Sequence, residues 1–316
     1  MVEKSTVHFV GILKNVDNTI VEFPLEDGFS FKPLDIELEN IILHQCGDLE
    51  TRKWQLINQI KDFRKYCVRR DYEVRGIGFY PLTQERIEIS RLNLTLRLMR
   101  LGHKGNICMP EEYYIYSVPG KMKYVGKYYY NQLSSIIDNE PFSLEKEEIS
   151  PLNEFIKVSL QDINGKKNDE IERAYLKRDI QPLRHQYINL AFDNFELSFN
   201  VQNIGLSFLT LVTALEVIFG SGAHRVARNA AVLLGTSKKE SIKTYKEISE
   251  YYEKRSYLLH SGKYDKITHD DMINLRTYCR KCICYCIKIN QSKRKLLDEL
   301  NTMGFGDSAK LLLLKL

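Results

Sequence analysis

The chain has 316 residues, of which 43% are hydrophobic and 28% charged, and its formal net charge is +5. This length allows about two domains, each large enough to bury a core, and the composition is ordinary for a globular protein. The mildly basic balance permits a polyanionic partner without requiring one.

Three features of the sequence bear on location. It contains no run of about 18 apolar residues, so no transmembrane helix and no membrane partner are expected. The first six residues lack the apolar core of a signal peptide, which argues against secretion. The seven cysteines are odd in number, which favours free thiols in a reduced cytoplasm over a disulfide framework.

Residues 1–145 are predicted to form an α+β, strand-rich domain that senses a target or positions a substrate. Alternation at residues 7–12 predicts a first strand, and a turn at Asp17 leads into a second strand at 20–23. The clearest alternation, at 92–98, predicts a half-buried strand. Between residues 48 and 68, apolar residues at helical spacing predict one helix. These residues are Trp54, Ile57, Ile60, Phe63 and Cys67.

Residues 146–316 are predicted to form an all-α helical bundle. Composition shifts near 143–148, between Pro141 and Pro151. Helices are expected to begin near Pro151, Asp169 and Pro182, and then to cover 206–219, 225–234, 236–260, a segment from Asp270, and 292–303.

The helix at 206–219 is apolar nearly all round, which places it at the centre of the bundle, and Gly220 ends it. A buried carboxylate needs a partner, and Glu216 lies within this helix. Arg225 or Arg228 on the next helix is the expected partner, in a structural ion pair rather than a catalytic one.

The long helix at 236–260 carries the candidate catalytic residues Arg255, Ser256 and His260. Five residues turn a regular helix by about 500°, so Arg255 and His260 lie about 140° apart, whereas Ser256 and His260 share a face. One site would therefore need either a distorted helix end or a second copy of the helix across a two-fold axis.

These side chains suit RNA cleavage. Histidine can move a proton to or from a ribose 2′-OH or the leaving oxygen, and arginine can clamp the charged phosphate, with Ser256 orienting one of them. With the 2′-OH as nucleophile no metal is needed, and RNA is the substrate. On six residues alone, however, a surface arginine and a capping histidine near a helix C-terminus are favoured.

Four segments add context, at residues 191–198, 213–219, 225–235 and 252–262. In this order they resemble the ApeA-like branch of the HEPN superfamily over about a third of the chain, near residues 180–290. The resemblance implies a helical bundle that dimerises, with Arg255 and His260 forming a ribonuclease site at the interface. Many HEPN proteins act in defence against phage or as toxins, often cutting tRNA or other RNAs, and others bind nucleotides or partners without cleaving.

Ser256 differs from the residue that active family members often carry after the arginine, which is Asn, Asp or His. It is the feature that most favours the alternative function, a non-catalytic HEPN module that dimerises and binds a protein, a nucleotide or RNA. A third interpretation is a regulatory RNA-binding protein that does not cut.

Two further clusters of side chains are candidates for binding. Cys279, Cys282, Cys284 and Cys286 are too poorly spaced on one helix for a closed zinc site, so helix packing is favoured and no metal or cofactor is expected. Residues 91–130 combine basic and tyrosine side chains, a composition that can bind single-stranded RNA. The favoured interpretation is tyrosine-rich strands whose lysines face solvent. In a ribonuclease, the predicted RNA-binding residues are Lys254, Lys263, Arg97, Arg100, Lys121 and Lys123.

The leading hypothesis is therefore a cytoplasmic, metal-independent HEPN endoribonuclease, active as a homodimer in antiviral defence or growth arrest. Its expected partners are an RNA substrate, with tRNA as one candidate, and a regulatory partner.

Overall fold

The computed structural model describes residues 4–45, 66–75, 83–118, 121–129, 141–164 and 183–307. The chain divides into two compact units, and the division falls between Lys157 and Val158. The first unit is α+β, and the second, within the described residues, is helical. The predicted order of an α+β region followed by a helical one is thus confirmed. The predicted boundary at residue 145 lies just before the helix that contains the division.

The first unit is built on one antiparallel sheet. Its elements are β1 (Lys4–Lys14), a short 3-10 helix (Asn18–Glu22), β2 (Ser30–Pro33), α1 (Ile36–Gln45), β3 (Tyr66–Arg75), α2 (Thr83–Gly102), β4 (Cys108–Val118) and β5 (Lys121–Tyr129). The helix α3 (Lys146–Asn164) follows and contains the division. The strand order is β2-β3-β1-β4-β5, which places the N-terminal strand at the centre of the sheet.

Alternation in β1 places side chains on both faces of this sheet, as predicted for residues 7–12. Val10 faces Leu38 and Ile42 of α1 in one apolar cluster. Phe9, on the opposite face, packs edge-on against Phe29 and Tyr114. Next to Phe9 in the sheet, Arg70 pairs with Glu88 of α2. Two helices therefore contact opposite faces of the sheet.

The prediction of a strand at 92–98 is wrong, because these residues lie in α2. Leu92, Leu96 and Met99 are buried along one side of this helix, and Leu94 and Leu98 are buried about 200–240° away from Leu92. A helix buried on two opposite sides places apolar residues at every second position, which imitates the period of a strand.

Two smaller predictions in this unit also fail. Residues 20–22 belong to the 3-10 helix, which Asp17 caps by accepting a hydrogen bond from the Thr19 amide, so no second strand forms there. Cys67 lies on β3 and not on a helix. The remaining residues of that predicted helix, 48–65, fall outside the described residues.

The second unit contains six helices within residues 183–307. They are α4 (Gln186–Asn200), α5 (Ile204–Phe219), α6 (Ala223–Leu234), α7 (Lys238–Ser261), α8 (His269–Ile289) and α9 (Lys293–Thr302). The apolar helix α5 contacts α4, α6, α7 and α8, so its predicted central place is confirmed. The helix predicted near Asp169 lies outside the described residues, and α3 begins at Lys146, before Pro151.

Among the described helices, no single one has the length and apolar content needed to span a membrane. Only α5 and α6 together reach that length and composition, and they are bent by 75° at their junction.

Candidate functional site

The candidate site lies near the end of α7. Ser237 caps the start of this helix by accepting a hydrogen bond from the Glu240 amide. Gly262 ends it in the left-handed conformation, with φ of +69°, and donates its amide to the Leu258 carbonyl at 2.9 Å. Both ends match the sequence prediction. The helix continues through Arg255, Ser256 and His260, so a distorted helix end does not bring Arg255 and His260 together. The two-copy arrangement expected from the sequence stays a prediction.

Arg255 is half-buried and points toward α5. Its Nη2 atom lies 3.5 Å from Oε1 of Glu216, and its guanidinium carbon lies 5.8 Å from the centre of the Tyr252 ring. The Tyr252 hydroxyl donates a hydrogen bond of 3.0 Å to the same Oε1 atom. We call Glu216, Tyr252 and Arg255 the arginine triad.

The triad corrects the predicted partner of Glu216. Arg228 donates instead to the backbone carbonyls of Leu300 and Met303, at 3.2 and 2.8 Å. Arg225 is exposed and lies close to Gly220. Glu216 therefore links the central helix to the candidate catalytic arginine, a connection that sequence reasoning missed. The only signal for it in the sequence was the presence of a carboxylate in an otherwise apolar helix.

The Tyr252 hydroxyl in this triad remains protonated near neutral pH. Burial raises its pKa far above the usual range, and the negative charge of Glu216 and the hydrogen bond to it act in the same direction. Arg255 opposes the shift without cancelling it. Tyr252 is therefore a permanent donor to Glu216, and it fixes the carboxylate that faces Arg255.

His260 and Ser256 lie on the exposed part of the same helix, one turn apart. Four residues turn a helix by about 400°, so the two side chains share a face, as predicted. His260 stands in the last turn, where the helix dipole favours a cation. An imidazole in this position is accessible to a ligand or to another protein chain.

Cationic groups surround the end of α7. Lys263 is exposed in the segment after the helix, and Lys266 Nζ lies 4.0 Å from the centre of the Tyr257 ring. Lys254 Nζ contacts both carboxylate oxygens of Asp271 at 2.6 Å. Lys254 thus has an internal partner, whereas no ion pair of Lys263 is seen among the described residues.

The RNA-binding residues predicted in the first unit have a different setting. Arg97 and Arg100 lie on α2 and not on a strand. Arg100 is buried and donates to the Ile107 carbonyl at 2.5 Å, so it faces the interior and not a ligand. Lys121 and Lys123 lie on β5, where their side chains fall outside the described part of the structure.

The cysteines of α8 behave as packing residues. Cys279, Cys282 and Cys286 are buried, and the Cys279 thiol lies 3.2 Å from the Leu211 carbonyl. Burial raises the pKa of the Cys286 thiol to about 12, so it stays protonated. Within the described residues, no group of three histidine, cysteine or acidic side chains is placed to hold a metal ion.

Three exposed apolar side chains lie in chain segments close to the end of α7. Leu206, Leu259 and Tyr264 are 56%, 54% and 48% exposed. Their segments meet at Gly205, where an added Cβ would stand 3.1 Å from Tyr264 Cβ and 3.4 Å from Leu258 Cδ1. We call Leu206, Leu259 and Tyr264 the apolar patch.

Comparison with known proteins gives no match to a protein-family model, to a curated protein or to a solved structure. The HEPN interpretation therefore rests on the sequence segments and on the residues at the end of α7.

Proposed function

We propose that the protein is a metal-independent endoribonuclease of the HEPN type that acts as a homodimer. The observation that carries the proposal is the placement of Arg255 and His260 near the end of one regular helix, where His260 is exposed and Arg255 is partly accessible. Neither side chain is fully buried in the core of its own unit. Both are therefore available to a cleft formed with a second copy of α7.

The chemistry follows from these two groups. The ribose 2′-OH attacks the adjacent phosphorus, the bond from phosphorus to the 5′-oxygen breaks, and a 2′,3′-cyclic phosphate forms. One imidazole accepts the proton of the 2′-OH, and the other donates a proton to the leaving 5′-oxygen. Arg255 neutralises the charge that develops on the phosphate oxygens, and Ser256 orients the imidazole that shares its face.

The apolar patch supports the dimer. Leu259 directly precedes His260, so a second copy that covers the patch would also approach the catalytic histidine. Apolar side chains that stand exposed together commonly mark association sites. In a two-fold arrangement the same residues of both copies meet, which brings two arginines and two histidines to one cleft.

The substrate and setting complete the proposal. Lys263 provides a positive charge next to the cleft, which suits a polyanion such as tRNA. We place the enzyme in the cytoplasm, where it serves antiviral defence or growth arrest and a regulatory partner restrains it.

A cleavage assay in EDTA tests the function. Purified full-length protein is incubated with total RNA and with tRNA, beside Arg255→Ala and His260→Ala. The matched controls are Lys246→Ala, an exposed lysine of α7 about 180° around the helix from Arg255 and roughly four turns before His260, and His224→Ala, an exposed histidine on α6. We expect cyclic-phosphate ends from the wild type and both controls, and none from the two site variants. Equal cleavage by all five proteins, or cleavage by none, would remove the proposal.

The alternative is a non-catalytic dimerisation module. The observation that favours it is the ion pair of Arg255 with Glu216, since an arginine with an internal carboxylate partner can serve structure alone. A wild-type protein that dimerises and binds RNA or a protein without cutting any RNA would support this alternative.

A further inference from the structure

We infer that Glu216 and Tyr252 are positioning residues that hold the guanidinium of Arg255 in the orientation needed for catalysis. The inference rests on the proposed ribonuclease function. It assigns a function to the Glu216 carboxylate on α5, which would otherwise contribute only a stabilising ion pair.

The geometry of the arginine triad supplies the first argument. Glu216 Oε1 is shared by two groups, the Tyr252 hydroxyl at 3.0 Å and Arg255 Nη2 at 3.5 Å. Tyr252 stands one turn before Arg255 on α7, whereas Glu216 comes from α5. The carboxylate is therefore fixed from two helices, and the direction of Arg255 is set by the packing of α7 on α5.

The number of donors on an arginine supplies the second argument. A guanidinium presents five N–H groups in one plane, and the ion pair with Glu216 is made through Nη2. Within the described residues no second acidic partner of Arg255 is seen, so the other donors can engage a phosphate while Glu216 restrains rotation of the plane. A side chain that is already ordered loses less conformational entropy in the transition state.

The negative charge of Glu216 supplies the third argument. Its effect on substrate binding and the effect of positioning on kcat predict opposite results when the charge is removed. A carboxylate beside a phosphate-binding arginine repels RNA, so a merely nearby charge would weaken substrate binding. Replacing Glu216 by glutamine removes that repulsion and leaves KM equal or lower. If Glu216 positions Arg255, kcat falls at the same time.

The bundle offers a matched control. The Tyr278 hydroxyl donates to Glu247, which repeats the tyrosine–glutamate contact between α8 and α7 without an arginine in it. Tyr278→Phe and Glu247→Gln therefore remove the same chemical groups from the same unit. Any loss that comes only from weakening a tyrosine–glutamate contact will appear in both pairs of variants.

The experiment measures kcat and KM for RNA cleavage by wild type, Glu216→Gln, Tyr252→Phe and the two controls, each with its Tm. We expect kcat to fall about 10- to 100-fold in Glu216→Gln with KM equal or lower, a smaller fall in Tyr252→Phe, and unchanged kcat in both controls. Selective 15N labelling of arginine adds a readout independent of turnover, in which Arg255 side-chain rotation accelerates in Glu216→Gln.

The outcomes separate the inference from the function. Wild-type kcat in Glu216→Gln, or an equal fall in Glu247→Gln, overturns the positioning role and leaves the ribonuclease intact. A wild-type protein that cuts no RNA overturns the function and the inference together. Unchanged Arg255 rotation in Glu216→Gln also overturns the positioning role.

Discussion

Helix α7 carries two contrasting groups of side chains in its last three turns. Tyr252, Lys254 and Arg255 are attached to neighbouring helices, through Glu216 of α5 and Asp271 of α8. Ser256, Leu259 and His260 are exposed and have no hydrogen bond or ion pair among the contacts of the described residues. The attached group orders the helix end, and the exposed group is left for a ligand or a second chain. Substitutions of the exposed side chains should therefore affect function with little change in stability, whereas substitutions of the attached side chains should change stability as well.

The largest expected effect is on the exposed histidine. His260→Ala should lower the rate of RNA cleavage by about 10²- to 10⁴-fold, the range for a lost general acid or base. Because the imidazole is exposed, the free energy of unfolding should change by less than about 0.5 kcal/mol. Cleavage kinetics and urea unfolding of the same preparation check both parts. A drop in stability that accounts for the lost activity would contradict the division into two groups.

Mixing inactive variants tests whether Arg255 of one chain and His260 of another meet in one cleft. A mixed dimer of Arg255→Ala and His260→Ala retains one arginine and one histidine in the shared cleft. We expect mixing to raise cleavage above that of either variant alone but below half of the wild-type rate, because a mixed dimer supplies one imidazole and water must take the other proton-transfer role. The control mixes His260→Ala with Lys246→Ala/His260→Ala, which restores no histidine. A mixture that cuts no faster than its components shows that each chain acts alone or not at all.

Association should depend on the exposed group in the same way. Leu259→Asp places a charge in the apolar patch, so the dimer should dissociate at least about tenfold more readily, since burying an unpaired carboxylate is costly. Ile242→Asp serves as the control, because Ile242 is exposed near the start of the same helix. Sedimentation velocity over a concentration series gives both constants. Equal dimerisation by the two variants would move the interface away from this patch.

The contrast along α7 also shows what the sequence reveals. The helix and both its ends were predicted, since Ser237 and Gly262 act on backbone groups within a few residues. The partner of Glu216 was not, because the distance between α5 and α7 depends on packing that no local pattern encodes. The prediction of a strand within α2 failed for a related reason. Because this helix is buried on two opposite sides, its apolar residues recur with the period of a strand.

Local sequence also does not show whether a single charged residue faces solvent or the interior. Arg100 was expected among RNA-binding residues because it lies in a basic stretch, yet its guanidinium is buried against the Ile107 carbonyl. Composition signals that a charge is present, but the fold decides whether it faces a ligand. The assignment of His260 differs because the Gly262 stop fixes it in an exposed last turn.

The smallest expected effect concerns the attached group, at Lys254 and Asp271. Burial alone would raise the pKa of Asp271, but hydrogen bonds from Lys254 and Thr268 outweigh it and hold the pKa below 3.8. A carboxyl whose pKa is lower in the folded state contributes stability above its unfolded pKa and loses it as the pH falls through the folded value. Asp271→Asn should therefore cost about 1 kcal/mol at neutral pH, allowing for partial exposure.

This difference between wild type and Asp271→Asn should shrink as the pH falls below the ordinary pKa of an aspartate in an unfolded chain, about 3.9. Urea unfolding between neutral pH and about pH 3 measures it, with Asp298→Asn as the control, because that exposed carboxylate only pairs with Arg294 at 3.9 Å. RNA cleavage by Asp271→Asn should stay near the wild-type rate if the contact of Lys254 with Asp271 serves structure and not phosphate binding. A large loss of cleavage with normal stability would instead assign Lys254 to the functional group of α7.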